Sequence, residues 1–570
     1  MEDIAENLTD FSSGSSDVYK PSTSESDSSD DYEKKNNTDT IKRKKITKGP
    51  KNYESTQDKE SSSKDDSDND TNIEVESETC VEEHTNRLLE WIVPSNTFVP
   101  AKSIPSSRPC KIYDINRNSR PIQVFHKMFP HSLYLQIVNC TNERIKILNN
   151  VKKQKHQPTD KGELQKILAV MMVMSYNYLP SLKNYWSNKE SMGNRLVKRI
   201  ISRDRYMVVT SKLYFSLPEK PPDATKTYYV DELLSCLKHT FRKYRQDSPF
   251  QSIDESMTKF KGRSSLKQYM PLKPVKRGIK LWCRCDSDSG YTYDLNVYSG
   301  KESQSITDGA LTLGERVVKR LASTIQEPDV CLCFDRFFTS VNLLETCGYA
   351  ALGTCMSNRK NLPNVQGKLK RGESMFRSNE TGLLLAKWQD TKEVLVLSNC
   401  HKPETTGILK KTKTGEQERI DCPEAIAFYR KKMGGVDRAD QYQSLYDYDR
   451  KSTKWWKKVF YTCVNICTVN AWILYKDLKQ ENKDVSYLTF LINLAEELAE
   501  EGVKLSNLPM PKKGPPKKRK TSALHLPIEG NTRRRCIRCS TNQVQKRTKT
   551  ICKECNVVLC KLCFAPYHTK

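Results

Sequence analysis

The chain has 570 residues, 36% of them hydrophobic, and carries 95 Lys and Arg against 69 Asp and Glu, a formal net charge of +26. That length predicts more than one folded unit and excludes a small disulfide-stapled scaffold. The positive excess favours a polyanionic partner over an ordinary metabolite, and the longest apolar run, residues 167–174, falls far short of the ~20 residues that cross a bilayer, so no membrane role is expected.

The first residues, MEDIAENLTD, lack the basic start and apolar centre of a secretory signal, so a reducing compartment is expected. The 20 cysteines then read mainly as thiols or metal ligands. Residues 1–80 hold 21 acidic and 11 basic residues with 15 serines, a net charge of −10 that leaves +36 on the rest. Such a segment cannot bury enough apolar surface to offset ordering entropy, and residues 1–85 are expected to be a disordered tail whose acidic-flanked serines are open to kinases.

From Trp91 onward apolar residues recur at spacings of three and four over 121–142, 161–176, 196–215 and 230–245, which predicts amphipathic helices. At Phe250 the pattern changes to strands, with a turn over 286–290 where aspartates, serines and a glycine cluster. A helix over 311–325 precedes the short apolar run VCLCFD, residues 330–335. Strands, a helix and another buried strand predict a mixed α/β sheet. Alternation puts Cys331, Cys333 and Asp335 on one face of that last strand and Leu332 and Phe334 on the other, as in a strand covered on both sides. Polar, Lys-rich sequence over 357–420 contains the strand-like LLLAKW and EVLVLSNC, and helices are predicted over 423–434, 454–479 and 485–501, the last ending at Gly502.

Three acidic positions stand out: Asp254 on the first strand, Asp335 closing the buried strand, and Asp437 in MGGVDRADQ. A carboxylate at the end of a buried strand requires a partner or a metal, because its desolvation is otherwise unfavourable. By pattern alone, capping the following turn competes with metal binding.

The blocks SIDESMTKFKGRSSLKQYMPLKPVKRGIKLWCRCDSDSGYTYD, CFDRFFTS and MGGVDRADQYQSLYDYDRKSTKWWKKVFYTCVNICTVNAWILY resemble, in order and spacing, the signature blocks of piggyBac-type transposases. The resemblance implies a ribonuclease-H-like core, residues 249–450, in which Asp254, Asp335 and Asp437 bind two Mg²⁺ ions, with Asp440, at i+3 from Asp437, in support. It further implies a strand-rich insertion near 357–422, and a helical dimerisation and DNA-binding domain made from residues 86–248 and 451–505. The implied chemistry is nicking at an element's ends, hairpin formation by the freed 3′-hydroxyl and joining to TTAA targets, with double-stranded DNA as partner and a homodimer as the working form. Two hard cations held by carboxylates suit phosphodiester transfer, which needs no side-chain nucleophile. One departure is Arg336, where the family commonly has Asn after the second aspartate. On a strand it would point away from Asp335.

Lys267, Lys273, Lys276, Arg277 and Lys280 follow the first catalytic strand and read as phosphate contacts, against the blander alternative of a solvated turn. Lys454, Lys457 and Lys458 flank Trp455 and Trp456 and are assigned to DNA in the same way. Near the C-terminus, Cys536/Cys539, Cys552/Cys555 and Cys560/Cys563 form three C-x-x-C pairs followed by His568, a strong zinc pattern for one or two Zn²⁺ ions in a module over 533–570. A cross-braced arrangement puts Cys536, Cys539, Cys560 and Cys563 on one ion and Cys552, Cys555 and His568 on the other, with His525 a candidate eighth ligand. The module also resembles a RING or PHD finger, but family resemblance assigns it to recognition of element ends, for which Arg533, Arg534 and Arg535 suit phosphate contact. PPKKRK at 515–520, in a basic linker over 506–532, and KRKK at 42–45 are similar to nuclear import signals, which predicts a nuclear location and an import receptor as partner. The rival reading is a domesticated derivative that binds DNA or chromatin without catalysis.

Overall fold

The computed structural model describes residues 90–568 apart from 154, 190, 272, 301–310, 412–414, 480–484, 509–524 and 542. The acidic tail and both import-like clusters lie outside those residues. A short strand, β1 (Trp91–Ile92), is followed by six helices: α1 (Pro121–Met128), α2 (His131–Lys152), α3 (Lys161–Tyr176), α4 (Arg195–Ile200), α5 (Arg203–Lys212) and α6 (Tyr228–Lys243). The single helix expected over 121–142 is split, because Pro130 has no N–H to extend α1 and stands instead at the N-cap of α2. Ser202 likewise divides the helix expected over 196–215, its Oγ accepting from the Arg205 amide at 3.3 Å to start α5 afresh. Helix α3 is not amphipathic. It is buried from Gly162 to Met174, with Glu163 paired to Arg205 at 2.7 Å.

The sheet follows: β2 (Phe250–Lys259), β3 (Lys267–Tyr269), β4 (Arg277–Asp286), β5 (Thr292–Val297), α7 (Leu313–Ala322), β6 (Cys331–Phe334), α8 (Val341–Thr346) and β7 (Ala350–Thr354). β2, β4 and β5 form an antiparallel meander, while β6 runs parallel to β2 and β7 parallel to β6. The order β5-β4-β2-β6-β7 is that of a ribonuclease-H-like core. Beyond β7, strands β8 (Ser374–Asn379), β9 (Leu384–Gln389) and β10 (Glu393–Ser398) continue the same sheet, and β1 pairs with β8, for ten strands in all. Much of the region expected as an insertion therefore extends the main sheet; β11 (Thr405–Lys411) and β12 (Gln417–Pro423) stand apart as a hairpin. Helices α9 (Glu424–Lys432), α10 (Gly435–Leu445), α11 (Trp455–Leu478) and α12 (Tyr487–Leu505) come next. The C-terminal module comprises β13 (Pro527–Arg535), α13 (Ile537–Thr541), β14 (Arg547–Cys552) and α14 (Lys561–His568).

Helices cover both faces of the sheet. Leu281, Cys283 and Cys285 of β4 join one core with α1, α3, α6, α11 and α12, whereas Trp282 between them joins Leu332, Phe334 and the residues of α7 and α8 on the other side. Cys331 and Cys333 face a third cluster, with Ile426 of α9, so β6 is covered on both faces. The helical layer is bonded to the strands as well as packed on them: Asn470 of α11 accepts from Thr292 N and donates to Thr292 O, each at 2.9 Å. Gly502 does not end the last helix. It lies inside α12, where an added Cβ would sit 2.6 Å from the Gly162 carbonyl oxygen, so the glycine serves a close crossing with α3. Among the described residues no helix is long and apolar enough to cross a membrane.

Candidate active site

The parallel register of β2 and β6 runs from Phe250 opposite Cys331 to Ile253 opposite Phe334, so the next residues, Asp254 and Asp335, emerge side by side. β6 stops at Phe334, and the Asp335 carboxylate turns back to accept from Phe337 N at 2.8 Å. Arg336 therefore lies in an exposed turn and not on the strand, which corrects the orientation expected from alternation. Its carbonyl accepts from Arg359 at 2.6 Å, and its charge acts on Asp335.

Helix α10 brings the other two acids. A Cβ on Gly435 would lie 2.5 Å from Ser252 Oγ and 2.6 Å from the Asp286 carbonyl oxygen, so only glycine lets the helix start this close to β2 and β4. Arg438 donates to the Asp288 carbonyl, and Ser256 Oγ donates to Asp440 Oδ1 at 2.7 Å, fixing the helix along β2. Asp437 sits three residues before Asp440 and shares its face.

Burial pushes the Asp254 carboxyl well above the usual carboxylate range; Lys273 opposes the shift, and Glu255 and Asp335 add to it. Burial also raises Asp335, against the stabilising Phe337 amide. Asp440 is pushed up to about 7 by burial, despite the Ser256 hydrogen bond and the charge of Lys273. Partly desolvated carboxylates brought to neighbouring strand and helix positions are the kind of oxygen donors that hard divalent cations take, although among the described residues the acidic ligand atoms are not gathered within 4.8 Å of one another as the C-terminal cysteines and histidines are. The donor set fits Mg²⁺. Glu255 was not anticipated, because strand alternation directs it away from Asp254; yet its carboxylate acts on both Asp254 and Asp335 and lies 3.3 Å from Lys273 and 3.9 Å from Lys280.

The basic residues divide. Lys276 and Arg277 are exposed where β4 begins, Arg277 over the exposed Tyr269 ring at 5.2 Å, and Lys454 is exposed over Trp456 at 5.2 Å. Lys267 is half-buried and donates to the Gly262 carbonyl at 3.1 Å, while Lys280 lies 3.8 Å above the Trp282 ring. Lys457 and Lys458 correct the sequence expectation. Both are buried, Lys457 donating to the Thr210 and Ser211 carbonyls at 2.8 and 2.6 Å, and Lys458 paired with Asp449, so neither ammonium is presented to a phosphate.

In the C-terminal module the four sulfurs of Cys536, Cys539, Cys560 and Cys563 lie within 4.8 Å of one another, as do the ligand atoms of His525, Cys552, Cys555 and His568. His525 Nδ1 is 3.2 Å from Cys555 Sγ and 3.5 Å from Cys552 Sγ, which brings in the eighth donor. The first and third pairs share one group and the middle pair meets two imidazoles, a cross-braced pattern whose thiol and imidazole donors suit tetrahedral zinc. Arg533, Arg534 and Arg535 lie exposed on β13 just before it.

A family model described as Transposase IS4 matches residues 120–472, more than half of the chain. Human PiggyBac transposable element-derived protein 3 is 24% identical over 505 residues, covering 85% of this chain and 82% of its own. Human PiggyBac transposable element-derived protein 2 is 26% identical over 372 residues, 62% of this chain and 61% of its own. Among solved structures, a piggyBac transposase synaptic complex with hairpin DNA superposes with a TM-score of 0.62 at 21% identity, over 80% of this chain and 100% of that one.

Proposed function

The chain belongs to the piggyBac-type transposase family, and from that premise we propose that it cuts DNA at the ends of a mobile element and joins it to TTAA targets by phosphodiester transfer. The observation that carries this reading is the meeting of Asp254, in the middle of β2, with Asp335, just past the end of the parallel β6, while α10 holds Asp437 and Asp440 against β2. Asp254, Asp335 and Asp437 would hold two Mg²⁺ ions, which when bound activate the attacking oxygen and stabilise the leaving one. Asp440, half-buried and bonded to Ser256, positions α10. Lys276, Arg277 and Lys454, all exposed, contact DNA phosphates, and Tyr269 supplies an exposed ring. The C-terminal module binds two Zn²⁺ and presents Arg533, Arg534 and Arg535 to the element's end. Work on both ends of an element calls for a homodimer, and DNA chemistry calls for delivery to the nucleus by an import receptor reading 515–520 or 42–45.

A second reading, a domesticated DNA- or chromatin-binding derivative without catalysis, is favoured by one observation: Arg336 places an exposed cation beside Asp335 where the family commonly has Asn. The two separate in one assay. Purified protein with Mg²⁺ and a duplex bearing its own flanking repeat should give a nick and then a hairpin, and Asp335→Ala should give neither. Binding without any nick would establish the second reading, and an Asp335→Ala protein that nicks normally would remove the proposed site.

A further inference from the structure

Lys273 was expected to meet DNA, but its position is more specific than that of its neighbours. It lies on the loop between β3 and β4, where Met270 N donates to Lys276 O at 2.8 Å and Lys273 N to Met270 O at 3.3 Å. That closed turn brings its side chain to β2, where Nζ lies 3.3 Å from both the carbonyl oxygen and Oε1 of Glu255. Its charge acts on Asp254, Asp335 and Asp440, and that of Asp437 acts on it in turn. Lys276 and Arg277, on the same loop, are exposed. One half-buried ammonium is thus shared by all four candidate acids and Glu255.

We propose that Lys273 is an internal antagonist of divalent-cation loading: its ammonium and the metal ions draw on the same carboxylate charge, so each weakens the other's hold. The inference rests on the reading of Asp254, Asp335 and Asp437 as metal ligands. Like charges a few ångströms apart in a partly desolvated site repel far more strongly than in water, and the coupling is reciprocal by necessity. A lysine that served only to bind DNA phosphate would leave metal affinity in the DNA-free protein untouched.

The experiment titrates Mn²⁺ into the full-length, zinc-loaded protein without DNA and follows free Mn²⁺ by electron paramagnetic resonance. Binding that disappears in Asp254→Asn defines the acidic site. At that site Lys273→Gln should bind Mn²⁺ on the order of tenfold more tightly than the parent, and Lys273→Met, which keeps the aliphatic stem, should move the same way. Lys273→Arg should keep the parent affinity, and Lys261→Gln, a matched loss of charge at an exposed position, should change nothing. Unchanged or weaker Mn²⁺ binding in both neutral variants, with the Asp254-dependent site intact, overturns the antagonist role while leaving the metal reading in place. Mn²⁺ binding indifferent to Asp254→Asn removes the metal reading and this inference with it.

Discussion

Ser256 Oγ donates to Asp440 Oδ1 across 2.7 Å, joining β2 to the helix that carries Asp437 and Asp440. The bond spans 184 residues of sequence and reaches a carboxyl whose burial lifts it to about 7.

That lifted carboxyl has a pH consequence. A folded-state value above the unfolded one means the folded protein holds the proton more tightly, so this group's contribution favours folding at low pH and is lost as pH rises through about 7. Acidifying the protein from pH 7.5 to 5.5 should therefore gain it roughly 2 kcal/mol at this position. Denaturant unfolding of parent and Asp440→Asn at both pH values checks it, since the gain should vanish in the variant; Lys273 and Asp437, the other charges acting on Asp440, are unchanged in the comparison.

Gly435 sets how closely α10 approaches the sheet. Gly435→Ala would place a methyl group 2.5 Å from Ser252 Oγ and 2.6 Å from the Asp286 carbonyl oxygen, and backbone cannot yield as a flexible side chain does. Overpacking of this kind costs about 1–3 kcal/mol. Thermal unfolding should show the loss, and DNA nicking should fall with it because Asp437 moves with the helix.

Neighbouring lysines on the α11 segment should behave differently. Lys457→Met removes the buried ammonium from which the Thr210 and Ser211 carbonyls accept, and should lower stability by about 1–3 kcal/mol. Lys454→Gln touches an exposed cation and should leave the melting temperature alone while reducing the salt dependence of DNA binding by about one counterion. A binding isotherm series in salt, run beside the melts, distinguishes the two.

Metal analysis of the purified chain should find two zinc ions. Cys560→Ser should leave one, and His525→Ala should weaken the second group while sparing the first, because His525 belongs to the set with Cys552, Cys555 and His568. Equal retention of both ions in His525→Ala would assign the eighth donor elsewhere.

Residue order was enough to locate β2, β4, β5, the covered β6, β9 and β10, and the C-x-x-C pairs, because strand alternation and ligand spacing are local properties; it did not place β13, which begins at Pro527 inside the stretch expected as linker. The same locality explains what was missed. A pattern of apolar residues does not say that Pro130 and Ser202 restart helices, nor that Gly502 serves a crossing instead of an ending, since each depends on which backbone lies alongside. Lys457 and Lys458 look identical to Lys454 as sequence. Only the packing of α11 against α5 and the 449–450 turn decides that two of the three are internal.

Residue order by itself determined the kinds of chemistry on offer: carboxylates in strand and helix contexts, paired thiols, and a basic surface. Tertiary structure alone decided which groups act on one another. Parallel register set Asp254 beside Asp335, a bare Gly435 let α10 close on the sheet, and a loop turn returned Lys273 to the acids. Charge interactions depend on distance through space and on the water excluded between groups, and neither is a function of separation along the chain.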